Sequence, residues 1–177
     1  MIDQAAFDQL AARVDALLDR VARLEEPLDP APTATGDARF WALQAVRERA
    51  TGTGGRVVFA GVADVAGDVH YEWQEEHDVA SLRDADWAAA AEPLRALGHP
   101  VRLTLLQAVL GGAHTVRALE TLPGLGTTGQ IYHHLRELQS AGWLSLARRN
   151  HYEVAGERVV PLLVALTAAG LRGGASR

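Results

Sequence analysis

Gln130, His133 and Arg136 follow one another at three-residue intervals, a spacing that gathers an amide, an imidazole and a guanidinium on one side of a helix. Side chains of these types are suited to recognition: Arg can pair with the acceptors of guanine and Gln with the edge of adenine. They lie within Gly126–Leu144, GTTGQIYHHLRELQSAGWL, where Ile131, Leu135 and Leu138 form the opposite, apolar stripe. Tyr132 stands at the margin of the polar face, and His134 falls beside the apolar one. Thr127 precedes Gln130 by three residues, so a capping box can start the helix there. Thr128 and Gly129 keep its first turn slim, the shape that enters a DNA major groove. An alternating hairpin follows, with Arg148 and Arg149 at a tip from which long cations reach phosphates. The expected DNA contacts are therefore Thr127, Thr128, Gln130, Tyr132, His133, Arg136, Arg148 and Arg149.

The preceding segments must position that helix. Ser81 to Leu97 reads as one helix with Trp87, Ala90, Ala91, Leu94 and Leu97 inward, and Pro93 is a place where it could kink or split. Gly98 ends it and Pro100 suits the first position of the next helix, which runs to Leu110 with Val101, Leu105, Leu106 and Val109 apolar. Thr115 can cap a third helix carrying Val116, Leu119 and Leu122. The turn Pro123–Gly126 joins it to the polar-faced helix, as a helix-turn-helix requires. In the hairpin, Leu144 and Leu146 are expected inward against Tyr152 and Val154, leaving Arg148, Arg149, Asn150 and His151 at the exposed turn.

Residues from about Ala96 to Ala169 resemble the ArsR-type winged-helix transcriptional regulators of bacteria. The resemblance is carried by ALGHPVRLTLLQAVL (Ala96–Leu110), HTVRALE (His114–Glu120), GQIYHHLRELQSAGWL (Gly129–Leu144) and the hairpin through Tyr152. It covers under half of the chain and implies a homodimer that binds an operator and modulates a nearby gene. Many members of that family sense metals or arsenicals through Cys in the helix before the recognition helix; here that helix reads TVRALETL and the chain has no Cys. A second family site uses Asp, His and Glu on the last helix, yet Glu157–Gly170 holds neither His nor Asp. Thiolate metal binding and thiol redox sensing are excluded chemically.

The charge is unevenly divided. All 17 basic residues are Arg, and the net charge is −5. Residues 1–98 hold 9 Arg against 18 acids, whereas residues 99–155 hold 5 against 3, together with five of the seven His. The modest basic surplus sits where the polar-faced helix and hairpin need it. No apolar run approaches the roughly 18 residues of a membrane span, and the N-terminus lacks a signal-peptide pattern. A cytoplasmic protein without a membrane contact is the expectation.

The N-terminal 26 residues carry a different rhythm. Phe7, Leu10, Val14, Leu17, Val21 and Leu24 alternate spacings of three and four, as in a coiled coil. The alternative is an amphipathic helix packed on its own domain. Residues 27–37 read as a linker. Within 38–80, a helix over Ala38–Arg49 offers Phe40, Trp41, Leu43 and Val46 for burial, and strands Arg56–Val62 and Val69–Gln74 form a hairpin. Trp41, Phe59, Tyr71 and Trp73 either wall a small-molecule effector pocket or pack the hairpin onto the following domain. Residues 81–170 then form the winged helix-turn-helix domain. The expected fold class is mainly α with a small β content. Self-association is expected through Leu10, Val14, Leu17, Val21 and Leu24, and through the last helix at Val159, Val160, Leu162, Leu163 and Leu166.

Other chemistries find weaker footing. Glu75–Asp78, with His70 and Asp68, is rich in hard donors, but neighbours on a strand point oppositely, and a solvated acidic turn is expected. No GxSxG elbow, Walker loop or nucleophile–base pair is present, and Gly52–Gly55 precedes a strand where a nucleotide fingerprint follows one. The sequence thus reads as a dimeric DNA-binding transcriptional repressor, with no metal, cofactor or enzymatic activity. The alternative is a winged-helix module that docks proteins, which should place apolar residues where Gln130, His133 and Arg136 stand.

Overall fold

The computed structural model describes residues 13–14, 40–50 and 54–173, and the chain divides into two units, Met1–Arg49 and Ala50–Arg177. In the first unit, helix α1 spans Trp41–Arg49. Phe40, Trp41 and Leu43, expected to be buried, are exposed. Phe40 lies just before the helix, and Trp41 and Leu43, two residues apart, do not share a face. Val14 is exposed as well; Leu10, Leu17, Val21 and Leu24, with the linker at 27–37, lie outside the described residues.

The second unit opens with an antiparallel hairpin of β1 (Arg56–Val65) and β2 (Val69–Asp78), paired from Arg56 opposite Asp78 to Val65 opposite Val69. Both strands run further than the sequence suggested, and Glu75–Asp78 is strand instead of acidic turn. Its charges are matched: Arg56 Nη1 donates to Glu76 at 2.6 Å and its Nη2 lies 3.4 Å from Asp78. Glu75 accepts from Trp73 Nε1 at 3.0 Å. Alternation turns Phe59, Ala63, Val65, Tyr71 and Trp73 toward the core.

Helix α2 (Val79–Asp84), a 3-10 turn (Trp87–Ala90) and helix α3 (Ala91–Leu97) replace the single helix expected over Ser81–Leu97. The break falls at Ala85–Asp86, where the Asp86 carboxylate caps the 3-10 turn by accepting from Ala88 N–H at 3.0 Å. Pro93 sits in the first turn of α3, where its missing N–H costs nothing. The break resets the helical phase, so Trp87, Ala90, Ala91 and Leu94 face solvent while Ala96 and Leu97 are buried.

Helix α4 (Pro100–Leu110) follows, then the short α5 (Val116–Leu119), α6 (Thr128–Ser140), strands β3 (Leu144–Arg148) and β4 (His151–Val154), and α7 (Gly156–Ala168). Leu105, Leu106, Val109, Leu119, Ile131, Leu135 and Leu138 join Leu162 in one core. Leu146, expected inward, is 49% exposed, although it pairs with Tyr152 in the register that sets Leu144 opposite Val154; the register shifts only after it, before Arg148. Val159, Val160 and Leu162 are buried within the chain and cannot serve the self-association assigned to them. The β1–β2 hairpin occupies that face of α7: a Cβ on Gly61 would come within 2.8 Å of Val160. Leu163 stays 38% exposed, and Leu166 is half-buried.

Among the described residues about 53% are helical and 22% are in strands, so the fold is mixed α/β, with more β than expected because the first hairpin is long. No described helix is long and apolar enough to cross a membrane.

Candidate nucleic-acid interface

Helix α6 begins as its sequence dictates. Thr127 Oγ1 accepts from Gln130 N–H at 3.4 Å, and Gln130 Oε1 accepts from Thr127 N–H at 2.8 Å, a reciprocal capping box. Gly126, at φ +85°, brings the chain in so closely that a Cβ there would collide with the Gln130 amide. Ile131, Leu135 and Leu138 anchor the inner face at 1% exposure or less. Gly129, Gln130, His133 and Arg136 face solvent, and Tyr132 is half-buried.

The eight residues expected to contact DNA divide by what their polar atoms already do. The Gln130 carbonyl is engaged in the cap, so only its amino group remains for an outside partner. Thr127 Oγ1 serves the same cap and also donates to Gln130 Oε1 at 3.2 Å. Thr128 Oγ1 donates to the Glu120 carboxylate. By contrast, the side chains of His133 and Arg136 carry no hydrogen bond or ion pair among the described residues, and those of Arg148 and Arg149 carry none at the β3–β4 turn. The turn is closed by Asn150 at φ +58°, a conformation Asn tolerates better than most residues. His151, expected at the exposed tip, is instead half-buried, its ring stacked on His114 at 4.7 Å.

The hairpin and α6 meet at Tyr152. Its side chain is buried near Tyr132 and Arg136, and burial is the main reason its phenol is held above its ordinary pKa, with Tyr132 adding to the effect and Arg136 opposing it. Arg136 therefore stands next to the hairpin. Arg117, on α5, is a further exposed cation without a partner among the described residues. It is absent from the expected contacts, although its place after the Thr115 cap, outside the Val116–Leu119 stripe, marks it as outward-facing.

A second missed residue holds the assembly from behind. Arg102 is 6% exposed, and it donates through Nε to Ala96 O and through Nη2 to Arg95 O, the latter at 2.7 Å. It thereby adds a donor to two carbonyls at the C-terminus of α3, of which Arg95 O also accepts from the Gly98 N–H at 3.1 Å. Its Nη1 lies 3.9 Å from Glu137 of α6, which also pairs with Arg95 at 3.3 Å. Beside this cluster the His134 ring lies 4.6 Å from His99 and 5.4 Å from His133. His134 Nδ1 is buried without a partner among the described residues. Burial first, then His99, His133 and Arg102, press the His134 pKa below its usual value.

The expected effector walls fall in different units of the chain. Phe59, Tyr71 and Trp73 pack against the core, while Trp41 belongs to the other unit. Among the described residues no group of three or more His, Asp or Glu is placed to hold a metal ion. His70 instead pairs with Asp64 at 2.7 Å and Glu72 at 3.3 Å. Compared with known proteins, the chain matches no family model and no curated sequence.

Proposed function

We propose that this chain is a sequence-specific DNA-binding transcriptional repressor that acts as a homodimer. In this reading residues 81–170 form a winged helix-turn-helix related to the ArsR type, with α6 as recognition helix and β3–β4 as wing. The observation that carries it is the combination of unpaired Arg136 and His133 on the open face of α6 with unpaired Arg148 and Arg149 at the adjoining turn. An amphipathic helix that turns a free guanidinium and imidazole outward, beside a hairpin tip with two free guanidiniums, suits a groove flanked by phosphates.

Self-association falls to the surface that the core leaves over. Leu103, Leu163, Leu166 and Leu171 line an open apolar groove of about 320 Å³ between α4 and α7. A second copy covering it, together with the N-terminal heptads, would complete a two-fold dimer. The test is fluorescence anisotropy of full-length protein on labelled duplex from its own genome, with unlabelled random duplex as competitor. Retained binding under competition, lost in Arg136→Ala, supports the reading. Equal loss to any competitor contradicts specificity, and absence of binding at low salt contradicts DNA binding altogether.

A further inference from the structure

A cleft of about 350 Å³ opens between the β1–β2 hairpin and the strand β4. Val65, Val69 and Tyr71 line it from the hairpin, and His114, His151 and Glu153 from the opposite side. Its walls are fixed. Ala66 N–H at the hairpin tip donates to Leu110 O at 3.3 Å, and a Cβ on Gly112 would stand 3.1 Å from Ala66. The Tyr71 ring lies so close to the start of α7 that a Cβ on Gly156 would come 2.9 Å from its Cε1. Tyr152 N–H donates to His114 O at 2.8 Å, and His114 Nδ1–H donates back to Tyr152 O at 3.0 Å. Walls pinned in this way make a pre-formed site of ligand size.

The polar atoms in the cleft ask for a donor. With Nδ1–H given to a carbonyl, a neutral His114 leaves Nε2 as an acceptor. Glu153 is half-buried and makes no hydrogen bond or ion pair among the described residues. No Arg lines the cleft and the chain has no Lys, so that carboxylate faces it uncompensated. The Tyr71 ring lines the same space, and an aromatic ring can receive a cation on its face. An anionic ligand would be repelled.

We infer that this cleft binds a small organic amine, its ammonium group on Glu153 and His114 and its apolar body against Val65, Val69 and Tyr71. His151 stands opposite Arg148 in the β3–β4 ladder, and His114 immediately precedes the Thr115 cap of α5. An occupant would therefore touch both the basic hairpin and the entry to the helix pair; that it acts as an effector rests on the DNA-binding reading.

Calorimetry of the full chain without DNA separates the two. Three probes share one body and differ in head group: phenethylamine, 2-phenylethanol and phenylacetate. The amine should bind with a Kd below about 1 mM and at least about tenfold more tightly than phenylacetate. Glu153→Gln, which keeps shape and removes charge, should cost about tenfold. Val69→Arg, a change at a 42% exposed position, should set a cation at the rim and abolish the amine preference. Circular dichroism confirms that each variant is folded. No amine binding, phenylacetate binding as tightly as the amine, or folded variants that keep the amine affinity would overturn the site. If the amine binds but leaves the DNA affinity unchanged, the site stands and its effector role falls.

Discussion

Arg136 and Arg102 have opposite tasks, although both are arginines near α6. Arg136 has its full set of donors free and stands at the surface; Arg102 has spent its donors on the end of α3. Arg136→Ala should leave stability within about 0.5 kcal/mol, as surface changes generally do. On the cognate site it should cost roughly 1–3 kcal/mol, and much less on random DNA. Arg102→Leu should do the reverse and destabilise by about 1–3 kcal/mol, since the buried Ala96 carbonyl loses the guanidinium that donates to it. Urea denaturation of the two variants checks the contrast. His134 supplies a pH dependence. Its folded pKa is depressed, so its contribution is intact above the ordinary value of 6.5 and is lost as pH falls through the folded value. Exposed His70 works the other way: Asp64 first, then Glu72, hold its pKa up, favouring the fold below pH 6.5. The measurement is therefore a difference. Between pH 7.5 and 5, wild type should lose stability relative to His134→Gln; parallel curves for the two would refute the assignment.

At the scale of elements, the helix starts were the most legible feature. Thr115 and Thr127 cap and Pro100 takes a first helical position as their types require, because a helix start is decided by residues at most three apart. The stripe of α6 was equally plain. The break at Ala85–Asp86 was hidden, because Ala suits helix and Asp suits a cap, and nothing local chooses between them. The length of β2 was hidden for another reason: three acidic residues and a His read as a turn until Arg56, twenty positions before Glu76, is known to lie across from them. Gln130 exposes a conflict within one side chain. Its sequence position favours both the cap and the groove, but one carbonyl oxygen cannot fully serve the two, and the cap holds it. Specificity should therefore rest more on Arg136 than on Gln130. The β3–β4 turn has a separate signature. Replacing both Arg148 and Arg149 with Ala should weaken cognate and random DNA alike and lower the salt slope by about two per dimer, if each turn makes one phosphate contact. An unchanged slope would remove the turn from the interface.

For the molecule as a whole, the β1–β2 hairpin determines what is left for a partner. By packing on the Val159–Val160 side it turns part of an apolar helix into core, while Leu163 and Leu166 line the groove that stays open beside α4. Leu163→Glu with Leu166→Glu should then weaken self-association at least tenfold without unfolding the chain; light scattering across micromolar concentrations reads this. A two-fold dimer carries a strong demand on its ligand, because two copies of α6 must enter the groove on one side of the duplex. Selection from random duplexes by the full-length protein, followed by sequencing, tests the central claim most directly. The account predicts enrichment of an inverted repeat with half-sites about one helical turn apart, lost when Arg136 is replaced by Ala. A bound pool with no enriched sequence, or one whose enrichment survives Arg136→Ala undiminished, would contradict it.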